Sequence, residues 1–191
     1  MKKALLTTIL ALSTSYAALA EAADYNIDVK GAHASINFKI KHLGYSWLTG
    51  RFNDFSGDFS YDPAIPEKSM INVEINTASL NSNHAERDKH LRSDEFLDVK
   101  KYPLATFTST GFKATSDSEA TITGNFTLHG VTKSISFPVH KIGEGKDPWG
   151  GYRAGFSGAT SLKMADYGIT TDLGPASTHV ELELNIEGVK Q

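Results

Sequence analysis

From residue 34 onward, apolar side chains return at every second position in one segment after another. Residues 34–41 set Ile36, Phe38 and Ile40 against Ser35, Asn37, Lys39 and Lys41, the period of a strand with one buried face. The alternation recurs in 70–75 (Ile71, Val73, Ile75), 120–128 (Ile122, Gly124, Phe126, Leu128), 132–141 (Ile135, Phe137, Val139), 154–162 and 180–186. Residues 25–28 and 105–111 add two more runs. Residues 49–61 carry Phe52, Phe55, Phe59 and Tyr61, and the slip of one between Phe52 and Phe55 predicts a bulge or bend at Asn53–Asp54. His129-Gly130 predicts a tight hairpin, residues 143–151 a flexible loop, and 164–175 irregular chain.

One stretch breaks the period. Residues 81–97 read as a short helix, with Asn83 as N-cap, Glu86 three residues on, and Glu86/His90 and Asp88/Arg92 spaced as i,i+4 pairs. It is polar on nearly every face, so it is expected to lie across an edge or an opening instead of inside a core.

These runs predict an all-β fold of about eight antiparallel strands, the number that closes a barrel around side chains or one small ligand. A two-layer sandwich is the rival. Long strands, and inward faces that mix Phe with Gly and Ala, favour the barrel.

Composition adds a destination. Met1-Lys2-Lys3, the apolar run 4–12 and the small residues at 18–22 form a secretory leader. Cleavage is expected after Ala22, or after Ala20, leaving one domain over 23–191. The apolar run is too short to remain as a membrane span. Removing 1–22 leaves 17 basic and 21 acidic side chains, a net charge of −4. With no basic cluster the chain is a poor nucleic-acid ligand. It has no cysteine, so its stability must come from packing.

Candidate chemistry is sparse. The seven histidines (His33, His42, His84, His90, His129, His140, His179) show no metal-ligand spacing, and His84 and His90 fall on different helix faces. Gly155-Phe156-Ser157-Gly158 lacks the spacing of a nucleophile elbow, and Gly143-Glu144-Gly145-Lys146 precedes no helix. The sequence therefore predicts no catalytic residue, metal or cofactor. The clustered donors His84, Arg87, His90 and Arg92 suit the capture of a polar or anionic head at a pocket mouth.

Six segments carry a resemblance: His42-Leu43-Gly44-Tyr45-Ser46-Trp47, residues 83–93, Ala105-Thr106-Phe107-Thr108-Ser109, residues 128–133, Asp147-Pro148-Trp149-Gly150-Gly151 and residues 172–177. In this order and over essentially the whole mature chain, they resemble the YceI family. The resemblance implies a lipocalin-like eight-stranded barrel with one inserted helix that binds a long isoprenoid or similar amphiphile, with no enzymatic activity, in the periplasm. It implies a link to base or osmotic stress. It also implies a quinone-like cargo in relatives encoded beside a membrane b-type cytochrome, and transient contact with that cytochrome or the inner membrane.

On this reading Phe38, Ile40, Phe52, Phe107, Phe126, Phe137 and Phe156 line the lumen, and His42, His84, Arg87 and Arg92 receive the head group. The family often carries an Arg ahead of Asp-Phe-Gly where this chain has Met164-Ala165-Asp166-Tyr167-Gly168. The competing classes are an enzyme acting on a lipid or small amphiphile and a stress-induced partner-binding barrel. The sequence does not choose between monomer and homodimer.

Overall fold

The computed structural model describes residues 22–191; the leader expected over 1–22 lies almost wholly outside them. The chain forms β1 Ala23–Ile27, β2 Ser35–His42, β3 Ser46–Phe52, β4 Phe55–Tyr61, β5 Met70–Asn76, β6 Leu80–Asn81 and α1 Ala85–Leu91. There follow β7 Leu104–Ala114, β8 Glu119–Leu128, β9 Val131–Lys146, β10 Tyr152–Lys163 and β11 His179–Lys190. All pairings among these strands are antiparallel.

Eleven strands make eight walls because three walls are broken. β1 and β2 both pair with β11, one beside Lys190 and the other beside Val180. β4 pairs with β1 and β3 pairs with β2, so β3 and β4, on either side of the Asn53–Asp54 bend, make the second broken wall. β5 and β6 share a third wall, and the ring β1-β4-β5-β7-β8-β9-β10-β11 returns to β1. The fold is a closed eight-stranded antiparallel barrel with one helix.

The expected bend at Asn53–Asp54 is present and stapled. Asp54 N donates to Ser79 Oγ at 3.0 Å, and Asn76 Nδ2 donates to Asp54 Oδ2 at 2.8 Å. The kink lets Phe52 and Phe55 both face inward, which a straight strand could not do with that spacing. His129 and Gly130 take φ of 51° and 75° in the expected hairpin. The loop expected over 143–151 is shorter. β9 runs on to Lys146, pairing Gly143 with Gly155 and Gly145 with Arg153 across a bulge. Only 147–151 turn, tied by the Asp147 carboxylate, which accepts from Trp149 N and Gly151 N.

Inside, rings lie against the wall where the neighbouring strand has glycine. A Cβ on Gly50 would come within 2.2 Å of Phe38 Cζ, and one on Gly124 within 2.4 Å of Phe107 Cζ. Gly188 stands in the same relation to Phe59. Near the chain termini Tyr25 stacks on Phe59 at 4.7 Å, and Phe156 meets Phe59 and Tyr61 edge-on, narrowing that end of the barrel.

Outside, Arg153 ties four segments together. Its Nη1 donates to Asp28 Oδ2 at 2.7 Å and Glu187 Oε1 at 2.6 Å, and its Nε to Asp147 Oδ2 at 3.0 Å. The donation from Arg153, helped by His33 and the Gly31 amide, holds the Asp28 carboxyl at about 2 against an ordinary 3.8.

Two outcomes follow. Gly50→Val drives Phe38 off the wall and overpacks the interior, lowering unfolding stability by about 1–3 kcal/mol in urea melts. Because the Asp28 pKa is depressed, its contribution is present above its unfolded value and lost as pH falls from about 4 toward 2. Asp28→Asn should remove roughly 1 kcal/mol at neutral pH, after solvent screening, and flatten that acid limb.

Candidate functional site

The lumen holds two adjoining apolar chambers. Beneath α1 lies an upper chamber of about 560 Å³, within the size range of ligand pockets. Below it is a narrower chamber of about 110 Å³. The two meet at Ile36, Ile75, Phe126 and Leu182, which line both.

All seven aromatic and aliphatic positions expected in the lumen face it. Phe38, Ile40 and Phe52 line the upper chamber, Phe107, Phe137 and Phe156 the lower, and Phe126 both. Rings meet across the interior only at the narrow end, where Phe156 of β10 contacts Phe59 and Tyr61 of β4; around the upper chamber they stay on their own walls. Phe38 and Phe52 pair along one wall at 5.8 Å, and Phe107 and Phe137 along another at 5.7 Å.

The upper chamber reaches the surface, since Lys41, His42 and Leu43 line it while being exposed. One side of this mouth is the β2–β3 hairpin tip. Another is the segment 172–177, where Gly174 lies against Leu43 and Ser177 Oγ donates to Lys41 O at 2.6 Å.

α1 fills a third side. β6 pairs with β3 alone, so that wall has a free edge toward β7, and residues 85–103 cover it. The helix is capped by His84, whose Nδ1 accepts from Arg87 N at 3.2 Å. The expected cap, Asn83, takes a left-handed φ of 61° and donates its N–H to the Asn81 side chain. That turn moves the helix start by one residue and puts Glu86 out of capping-box register.

The expected i,i+4 pairs give way to tertiary partners. Asp88 is buried and accepts from Ser82 N and Ser82 Oγ. Burial alone would raise its carboxyl pKa, but the Ser82 hydrogen bonds and the charges of Arg92 and Arg87 outweigh it and hold the pKa down. Arg87 donates to Ser82 Oγ and O at 2.7 and 2.6 Å, and Arg92 to Leu80 O. His90 pairs with Glu95 at 3.0 Å instead of Glu86.

These bonds sort the expected head-group residues. His42 and Arg87 line the upper chamber; His84 and Arg92 are not brought to it. His84 serves as the helix cap, and Arg92 ties the helix to β6. Of the other clustered donors, His90 also lines the chamber; the structure adds Lys41 and Asp172 at the mouth, and Leu91, Phe96 and Leu97 on the underside of the helical segment. The alternation rule does not reach these last three, because they follow the helix period and lie in a turn.

Tyr167 lines the upper chamber with its hydroxyl buried and without a hydrogen-bond partner among the described residues. Burial, then the charge of Asp166, pushes its pKa up.

Among the described residues one group of His and carboxylates has converging ligand atoms: Asp28, His33 and Glu187. The Arg153 guanidinium already stands between Asp28 and Glu187, where a metal cation would have to sit.

Known proteins share this arrangement. A UPF0312 protein of Shewanella baltica is 57% identical over 191 residues, covering 100% of both chains. The crystal structure of a Campylobacter jejuni YceI protein superposes with a TM-score of 0.72 at 31% identity, over 80% of this chain and 90% of that one. A polyisoprenoid-binding domain from Saccharophagus degradans, implicated in plant cell wall breakdown, shares the fold. Its TM-score is 0.65 at 19% identity, over 87% of this chain and 98% of that one. The YceI-like domain model matches residues 25–188, and the chain belongs to that family.

Proposed function

We propose that this protein is an exported carrier that holds a long-chain isoprenoid or similar amphiphilic lipid in its lumen, binding it without transforming it. The observation that carries this reading is the adjoining pair of apolar chambers, open beside Leu43, with Phe38 and Phe107 laid against wall glycines. A compact polar metabolite would find few partners there. An extended hydrocarbon would bury its length against Phe38, Phe52, Phe126 and Phe137.

Magnitudes favour the tail over the head. At about 0.8 kcal/mol per buried carbon, each five-carbon unit contributes roughly 4 kcal/mol. Three units therefore offer about 12 kcal/mol against association costs of about 4–15 kcal/mol. Both chambers must be occupied for tight binding. His42, Arg87 and Lys41 at the mouth choose among head groups more than they hold the ligand. Arg87 is partly committed to Ser82, which fixes it as a positioned cation instead of a mobile acid or base. Support for export is the leader-like start of the sequence, and the lipid-binding relative of the same fold supports the cargo class.

Purified natively from its source compartment, the protein should release a stoichiometric prenyl lipid on organic extraction and mass spectrometry. Extraction yielding none, with no uptake of a prenyl quinone, overturns the carrier reading. Leu182→Trp at the junction of the chambers should discriminate by length. It should weaken a long polyprenyl ligand by more than about tenfold while leaving a farnesyl-length ligand within about threefold, because the lost burial is confined to the far units.

A further inference from the structure

The β2–β3 hairpin tip presents three large apolar side chains to solvent. Tyr45 is 89% exposed, Leu43 57% and Trp47 47%. Isolated exposed apolar residues need no account, but three within five positions on one tip do. The backbone sharpens the point. Leu43 and Gly44 take φ of 52° and 83°, with Tyr45 N donating to His42 O at 2.9 Å. This type I′ turn normally takes Asn or Gly at its first central position. A leucine there is held in a disfavoured conformation and extends over Gly174, which gives the fold no core burial in return.

Two lysines flank the Trp47 ring beneath the tip. Lys39 and Lys41 place their ammonium groups 5.3 and 5.6 Å from the Trp47 ring centroid. Lys39 is shared with Glu181 and Glu183; Lys41 forms no ion pair among the described residues. Trp and Tyr at a tip, with lysine stems beneath them, match the amphipathic layering of a bilayer surface. There the rings settle at headgroup level and the cations meet lipid phosphate. The tip is continuous with the lumen, because Lys41, His42 and Leu43 line the upper chamber.

We infer that this hairpin tip docks on a lipid bilayer containing anionic headgroups and sets the mouth of the lumen against the membrane. The inference rests on the carrier reading for its purpose, since a prenyl chain then passes between bilayer and lumen without crossing water. It names the surface that performs the exchange.

The test uses the whole mature protein and two assays. In co-sedimentation with sucrose-loaded vesicles of phosphatidylethanolamine and phosphatidylglycerol, the wild type pellets, and the doubly substituted Tyr45→Ser/Trp47→Ser protein binds at least about tenfold more weakly. Pure phosphatidylcholine vesicles bind the wild type several-fold less than the anionic ones. In vesicle-free solution both proteins take up a dansyl-tagged farnesyl probe equally, because neither Tyr45 nor Trp47 lines a chamber. The chain has two tryptophans, Trp47 and Trp149. With Trp149→Phe, vesicles blue-shift the remaining emission of Trp47 and protect it from acrylamide; with Trp47→Phe, that of Trp149 is unmoved.

Wild type that binds the probe but ignores vesicles overturns docking and leaves the carrier reading standing. Vesicle binding without probe uptake does the reverse. A shift seen at Trp149 instead of Trp47 overturns the assignment. So does a tip substitution that alters only the oligomeric state in sedimentation, which would make the tip a contact between copies of this chain.

Discussion

Close packing is the rule inside proteins, and a barrel of this size ordinarily fills with its own side chains. What prevents that here is the pairing of large rings with absent ones. Phe38 lies over Gly50 and Phe107 over Gly124, so these rings spend their bulk along the wall instead of across the lumen; Phe59, over Gly188, also reaches Phe156 and closes the narrow end. Any side chain at those glycines would occupy the place of a ring atom, and the displaced ring could move only inward. The chambers are therefore a consequence of where Cβ atoms are missing, and they exist at the cost of the core volume that those positions would otherwise supply.

A barrel with an unfilled middle needs its stability elsewhere, and the polar groups supply it at the rims. Arg153 joins three carboxylates from the β1–β2 loop, the β9–β10 turn and β11, fastening the seam where the broken wall meets the last strand. At the other rim, Ser82 and Asp88 form the pivot of a network that spends Arg92 on the Leu80 carbonyl of β6 and Arg87 on the Ser82 carbonyl just beyond it. Removing one partner there would leave a buried charge or carbonyl unpaired, which is costlier than the bond itself is favourable. The helix is thereby fixed as one side of the mouth.

Period-two alternation made the barrel legible, and it made all seven lumen positions legible, because in a strand the choice of face is settled by parity alone. The slip from Phe52 to Phe55 announced the bend for the same reason. The helix was less readable. Its boundaries, cap and pairings depended on Asn81 and Ser82, whose backbone turn and side chains outcompeted the local i,i+4 spacing. His84 and Arg92, expected at the head group, instead hold the element in place, His84 by accepting from Arg87 N and Arg92 by donating from Nη2 to Leu80 O. Lys41 reaches the mouth from the end of β2 and Asp172 from a loop, and nothing in local sequence brings the two segments together; only the resemblance marked residues 172–177.

The division between wall and rim also decides how selectivity arises. A flat-ringed tube recognises length and flexibility, since each added carbon gains about the same free energy wherever it lies. Such a tube distinguishes poorly among prenyl chains that fit it. Discrimination must come from the few groups that are polar and fixed. Arg87 is oriented by Ser82, and Tyr167 carries a hydroxyl that the protein leaves unpaired against Phe126. An unmet donor in an apolar wall favours a ligand that carries an acceptor at the right depth and disfavours one that leaves it unmet.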